Sequence, residues 1–344
     1  MGPKKMKWPE RLLGYAFPWL EQTLNYSRRI TAVFVLAAVL IPATGSASET
    51  VVMRFLAGRG SMSPFELANE LHFFDGKGIE IKEEGYAAGG PEVLFALASG
   101  NLEIGNAAIV SIINSVANGN HFRAVYAGNG IDAKVKSNFY VLNDSSIKSR
   151  QDIVGATIAI NTLGAHLDYV VREALNQSKL DFGATKLIAV PGPQLEQTLR
   201  SKQVDLIAVG SWQASFKGQL LKNGGVRSVF TDTDILGEMT GGMIVLPQEF
   251  IDSHPDATRE FIEQSVRAAD WAAEHPEEAR AVFAKLLERR GENSELAKSW
   301  PGFGVRPHAV IADHDIDFWI NILERDGRIP KGALKPDDLL YRVQ

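Results

Sequence analysis

The chain repeats itself once, and the spacing of that repeat limits what it can become. Gly90-Pro91-Glu92-Val93, Leu97-Ala98-Ser99 and Leu102-Glu103-Ile104 return as Gly192-Pro193-Gln194-Leu195, Leu199-Arg200-Ser201 and Val204-Asp205-Leu206, each 102 residues later. The same offset carries Met53–Leu56 onto Gly155–Ile158 and the turn Arg59–Ser63 onto Asn161–Ala165. A period this long is a duplicated domain rather than a solenoid unit. Each copy reads as strands alternating with helices. The strands are Met53–Leu56, Ile79–Lys82, Leu102–Ile104 and Phe122–Tyr126 in the first copy. In the second they are Gly155–Ile158, Lys186–Val190, Val204–Val209 and Val226–Phe230. Such alternation predicts an α/β fold with a mainly parallel sheet flanked by helices, and two copies predict two lobes. The 344 residues suffice for two lobes of about 100–150 residues each.

Helix starts are marked in the sequence. Ser63-Pro64-Phe65-Glu66 has a capping serine, a proline at the first helical position and a glutamate three residues after the cap. Gly90-Pro91 and Gly192-Pro193 use the same proline device. Further helices are predicted over Asp256–Ala273, Glu277–Arg289 and Ile316–Arg325.

The formal net charge of -5 offers no basic excess for a phosphate backbone, so nucleic acid is not expected as a partner. The chain has no cysteine, which removes disulfides, thiolate metal sites, cysteine nucleophiles and lipid attachment at an N-terminal cysteine. Phosphate-loop, zinc-helix and nucleophile-elbow motifs do not occur. His314 lies between Asp313 and Asp315 but lacks further ligands nearby, so no metal, cofactor or catalytic residue is assigned. At the N-terminus Arg28 and Arg29 precede the apolar run Ile30–Ile41, then Pro42 and Gly45-Ser46-Ala47. This reads as an export signal over residues 1–47, on the Sec rather than the twin-arginine route, since Thr31 displaces the apolar residue that route requires. The alternative, a membrane anchor, needs a longer apolar run. No later segment is apolar enough to span a bilayer, so the mature chain is expected to be soluble outside the cytoplasm.

In open α/β sheets ligands bind beyond the carboxyl ends of the strands, where helix N-termini offer unpaired N–H groups. That rule selects the turns Gly60–Ser63, Ala88–Gly90, Asn161–His166 and Pro191-Gly192, together with Gly105–Ala107. The candidate ligand-binding residues are Ser61, Met62, Ser63, Gly89, Gly90, Asn106, Thr162, Gly164, Ala165, His166, Gly192 and Trp212. Each also has a structural reading. The glycines suit turns, Ser63 caps a helix, Trp212 packs in a core, and Arg59 is a solvated surface charge. His166 falls in a first helical turn, a poor place for a positive charge and a good one for a neutral donor. Changing His166 or the Ser61–Ser63 turn is expected to weaken binding without unfolding the protein.

Several stretches resemble a known family. Ser146–Ile160 is similar to the segment that introduces the second lobe in periplasmic solute-binding proteins of ABC importers, in the branch serving nitrate, aliphatic sulfonates, taurine and pyrimidine precursors of thiamine. Leu163-Gly164-Ala165-His166 resembles that branch's Gly-Ser-x-Ala-His turn, with Leu163 in place of a smaller polar residue. Ala96–Gly100 with Glu103-Ile104-Gly105 resembles another of its motifs, with Glu103 for the usual aspartate. His254–Phe261 and Glu274–Ala279 resemble its C-terminal helices. The resemblance implies a type II periplasmic binding fold with the ligand cleft between lobes and two hinge crossings, near Lys136–Asn138 and Gly237–Thr240. Lobe 1 would hold residues 50–137 and 238–344, and lobe 2 residues 138–237. It also implies a monomer that captures a small anionic or zwitterionic ligand, such as a sulfonate or taurine-like compound, and delivers it to an ABC permease in the inner membrane. Two other readings stay open: a ligand-sensing module for a membrane receptor, and a pyrimidine- or menaquinone-pathway enzyme on the same fold.

Overall fold

The computed structural model describes residues 50–342, so the expected export signal at 1–47 lies outside the described residues. Ten strands run as β1 (Val51–Ala57), β2 (Ile79–Tyr86), β3 (Gly105–Ala108), β4 (Phe122–Ile131), β5 (Asn138–Leu142), β6 (Thr157–Ile160), β7 (Lys186–Ala189), β8 (Leu206–Val209), β9 (Val226–Thr231) and β10 (Met239–Pro247). Twelve helices accompany them: α1 (Pro64–Glu70), α2 (Gly90–Ala98), α3 (Ile109–Ala117), α4 (His166–Gln177), α5 (Leu195–Arg200), α6 (Ala214–Asn223), α7 (Thr233–Leu236), α8 (Gln248–Ser253), α9 (Pro255–Glu274), α10 (Pro276–Arg289), α11 (Asp313–Arg325) and α12 (Pro336–Leu339). No helix among the described residues is long and apolar enough to cross a membrane.

The strands form two assemblies with the same order. One is a five-stranded sheet, β7-β6-β8-β5-β9. The other is the pair β1-β2 and the trio β3-β10-β4, joined where the Glu103 and Ile104 amides donate to the Arg54 carbonyl, both at 3.1 Å. At the 102-residue offset β1 maps onto β6, β3 onto β8 and β4 onto β9, and β2 takes the place of β7. The strands that cross between lobes are also repeat-related, and they are exchanged. β5 follows β4 in sequence but pairs antiparallel with β8 and β9, while β10 follows β9 but pairs antiparallel with β3 and β4. Each copy therefore lends its fifth strand to the other's sheet, and the chain crosses between lobes twice, after Ile131 and before Met239. The expected strand Leu102–Ile104 begins three residues later, at Gly105–Ala108. Glu103 itself clips its segment to β1, its carboxylate accepting the Arg54 N–H at 2.8 Å.

Each sheet is covered on both faces. In the first lobe one face packs Phe65 of α1, Phe261 of α9 and Phe283 of α10. The other packs Ile109, Ile112 and Ile113 of α3 and Trp319 of α11. In the second lobe Leu167, Val170, Val171 and Ala174 of α4 cover one face, and Leu195, Leu199 and Leu220 of α5 and α6 the other. These apolar positions recur at three- and four-residue spacing, which places them on one stripe of each helix. At about 25 cal/mol per Å² of apolar surface, such burial is the main stabilising term in a chain without disulfides. Asp315, near the start of α11, is fully buried and serves the second crossing: it accepts the Thr240 N–H at 3.0 Å and two N–H groups of Arg306, at 2.6 and 3.2 Å.

Candidate functional site

The strand-end turns of both lobes converge on one cavity, which holds ≈ 130 Å³ of space for water centres. The first lobe contributes Ser61, Ser63, Gly89, Gly90, Asn106, Asn129 and Gly241, with Ala57, Ala87, Val93 and Ala107 as apolar wall. The second contributes Asn161, Thr162, Ala165, His166 and Trp212. This mixture of apolar surface with a few convergent polar groups is what a small-molecule site needs.

Local structure explains how each group reaches the cavity. The turn before α1 is held from both lobes: Glu292 Oε2 accepts the Gly60 N–H at 2.8 Å, and the Gly60 carbonyl accepts the Ser215 hydroxyl of α6 at 2.9 Å. Burial raises the Glu292 carboxyl above the ordinary range, opposed by that Gly60 N–H and by Arg290. Ser63 stands at the N-cap of α1, where its N–H donates to Glu66 Oε2 at 2.6 Å, and its hydroxyl accepts from Asn106 Nδ2 at 2.9 Å. Gly90 is needed for packing, since a Cβ there would stand 2.7 Å from the Ala107 Cβ. Gly89 has extended backbone, and a Cβ there would stand 2.6 Å from Thr162 Cγ2 of the opposite lobe.

His166 is the first residue of α4 and only 2 % exposed. Its Nε2 lies 3.0 Å from Asp232 Oδ2, and Asp232 Oδ1 accepts the Ser137 N–H at 2.9 Å. The imidazole sits edge-on between Trp212, at 5.9 Å, and Trp319 of the first lobe, at 6.1 Å. Two turns along α4, Glu173 accepts from Arg325 of α11 at 2.8 Å, so the helix meets the first lobe at a second point. Near the first crossing, burial together with Lys136 lowers the Lys217 ammonium below its usual value.

Of the candidate residues, Ser61, Ser63, Gly89, Gly90, Asn106, Thr162, Ala165, His166 and Trp212 line the cavity. Three do not. Met62 is buried behind the turn, lining a smaller cavity with Trp300 and Phe303. Gly164 has φ +71°, a turn conformation that glycine favours, and its carbonyl accepts the Ser111 hydroxyl at 3.3 Å across the cleft. Gly192 packs against Phe216 and Gln213, where a Cβ would stand 2.9 and 2.6 Å from them. Leu163 is 50 % exposed and outside the cavity, so its size does not set the pocket. Arg59 lies 4.0 Å over the Tyr86 ring, also outside. The buried contact with Asp232 gives His166 a structural role beside the binding role expected of it.

Sequence reasoning missed Asn129 and Gly241, because both lie within strands rather than at turns. Their signal is the pair Gly241-Gly242 in β10: a Cβ at either would stand 2.7 or 2.5 Å from the Asn129 amide.

No curated protein sequence matches the chain. Solved structures do. The periplasmic aliphatic sulphonate binding protein SsuA of Escherichia coli aligns with TM-score 0.67 and 17 % identity, over 85 % of this chain and 92 % of that one. The alkanesulfonate-binding protein SsuA of Xanthomonas axonopodis pv. citri, bound to MOPS, aligns with TM-score 0.70 and 15 % identity, over 86 % and 100 %. The desulfurization enzyme DszB shares the fold with TM-score 0.59 and 14 % identity, over 84 % and 96 %. The fold is therefore the two-lobed type II periplasmic binding fold. Residues 60–279 match the family described as NMT1/THI5 like, and the chain belongs to that family.

Proposed function

We propose that this protein is the extracytoplasmic solute-binding component of an ABC importer. In this reading it is a periplasmic monomer, exported through its N-terminal signal, that closes on a small organic acid such as an aliphatic sulfonate or taurine-like compound and presents it to the permease. The observation that carries the reading is that one small cavity takes its walls from both lobes, with Ser63, Asn106 and Gly89 on one side and Thr162, His166 and Trp212 on the other. Ligand contacts both sets only when the lobes are together, so binding shifts the population to the closed form. The crossings at residues 132–137 and 237–238 would act as hinges between lobe 1 (50–137 and 238–344) and lobe 2 (138–237). The sulfonate-binding proteins that share the fold support the ligand class.

We read the protein as a receptor without catalysis. His166, the titratable side chain among the cavity-lining residues, is tied to Asp232. DszB shows that the fold also carries an enzyme, so the test measures turnover as well as binding. The mature chain is screened by thermal shift against sulfonates, taurine, nitrate, carboxylates and pyrimidines. A ligand at about 100 times its Kd adds roughly 2.7 kcal/mol of stability. A hit recovered chemically unchanged supports the receptor reading. Conversion of a hit to product would replace it with the enzyme reading.

A further inference from the structure

Three helices that open at the cleft begin with the same device. The Ser63 N–H donates to Glu66 at 2.6 Å, the Ala88 N–H to Glu92 at 2.8 Å, and the Gly164 N–H to Asp168 at 2.8 Å. A carboxylate in the first turn offsets the partial positive charge that a helix start would otherwise show a ligand. None of the described residues lining the cavity is lysine or arginine. Arg290 stands behind the wall, donating to the Ser61 carbonyl at 3.2 Å, but it is paired with both Glu66 and Glu83. A ligand with net negative charge would therefore meet no unpaired cation on the wall, whereas a zwitterion carries its own.

The second-lobe wall says where the positive end of such a ligand belongs. Asp232 is fully buried and its carboxylate only accepts, so the hydrogen in its contact with His166 resides on Nε2. The other ring nitrogen, Nδ1, is an acceptor when the ring is neutral, and that atom is buried with no hydrogen-bond partner among the described residues. Asn161 is 8 % exposed and its Nδ2 donates to the Ala88 carbonyl at 3.4 Å. Its Oδ1 is likewise buried and unpartnered. Both residues line the cavity, beside the Trp212 ring. Two unsatisfied acceptors and an aromatic face are complementary to an ammonium or N–H group.

We propose that the ligand is a zwitterion whose nitrogen donor is read by His166 Nδ1 and Asn161 Oδ1, while its acidic head faces the hydroxyls and amides of Ser61, Ser63 and Asn106. The inference rests on the receptor reading and narrows its substrate class. The test pairs molecules that differ only in the amine: 2-aminoethanesulfonate against ethanesulfonate, and 3-aminopropanoate against propanoate, by calorimetry on the mature chain. The amino member of at least one pair is expected to bind tenfold or more tightly, and Asn161→Leu to collapse that ratio while thermal unfolding shows the variant folded. An amine-free partner that binds as tightly as its amino counterpart overturns the inference and leaves the receptor reading intact. Nitrogen-15 NMR of the unliganded protein at pH 7 tests it without any ligand: a protonated Nε2 with an unprotonated Nδ1 on His166 supports it, and an imidazolium there overturns it.

Discussion

Glu103 and Asp205 stand 102 residues apart and make the same bond: each carboxylate accepts, at 2.8 Å, a backbone N–H from the first strand of its own lobe, Arg54 in one and Thr157 in the other. Each also donates its own N–H to that strand, to the Arg54 carbonyl at 3.1 Å and the Thr157 carbonyl at 2.9 Å. The acidic residue of the repeat thus clips the third strand segment to the first. It is a structural residue and not part of the cleft.

The two clips differ in one respect, and stability should show it. Glu103 also binds the Arg54 guanidinium, at 2.5 and 2.9 Å, which raises the arginine pKa. Arg54 is 35 % exposed, so this pair adds less than about 1 kcal/mol. Asp205→Ala is expected to cost about 1 kcal/mol and Glu103→Ala about 2 kcal/mol in urea unfolding. A larger cost for Asp205→Ala would show that the arginine contributes nothing.

Gly89 and Thr162 test closure directly. The Gly89 backbone is extended and tolerates any residue, but a Cβ would meet Thr162 Cγ2 at 2.6 Å across the cleft. Gly89→Ala should act as a wedge, lowering ligand affinity about tenfold, or ~1.4 kcal/mol, with little change in melting temperature. Small-angle scattering with ligand should show a wider molecule than the parent. Adding Thr162→Ser removes Cγ2 and should restore much of the affinity; if it does not, steric contact between these residues is not what Gly89 avoids.

The repeat makes the two lobes legible in the sequence, because a strand-helix alternation and its turn glycines leave a pattern in one dimension. The exchange of β5 and β10 between lobes left none, since a strand reads the same whichever sheet receives it. Among the cavity-lining residues, Ser63, Gly89 and His166 were legible as turn residues at helix starts. Asn129 was not, because it faces the cleft from mid-strand over a glycine pair. Gly192 and Gly164 share the sequence motif of the cavity-lining turns but lie outside the cavity, one packed on Phe216 and the other at a positive φ.

His166 and Asp232 form a buried pair, 2 % and 0 % exposed, and changing one strands the other. His166→Ala is expected to cost about 3 kcal/mol of stability, since the Asp232 carboxylate keeps the Ser137 N–H and loses its other partner. The double variant His166→Ala/Asp232→Ala should cost at least ~1 kcal/mol less than the two single changes together. Strict additivity in urea unfolding would show that the pair is not coupled.

Asp315 should give the stability a carboxylate signature in acid. It is fully buried, which on its own would raise its pKa, yet the pKa falls below the ordinary value because Arg306 and the Thr240 N–H outweigh the burial. A depressed folded-state pKa contributes stability above the unfolded value, about 3.9 for aspartate, and loses it as pH falls through the folded value. Asp315→Asn is therefore expected to cost about 2 kcal/mol at pH 7. The difference from the parent should narrow as pH drops below about 4, because protonation removes the same charge from the parent. Urea unfolding at pH 7 and pH 3 measures both differences. An equal penalty at the two pH values would mean that Asp315 holds Thr240 and Arg306 by shape and hydrogen bonding alone, with no contribution from its charge.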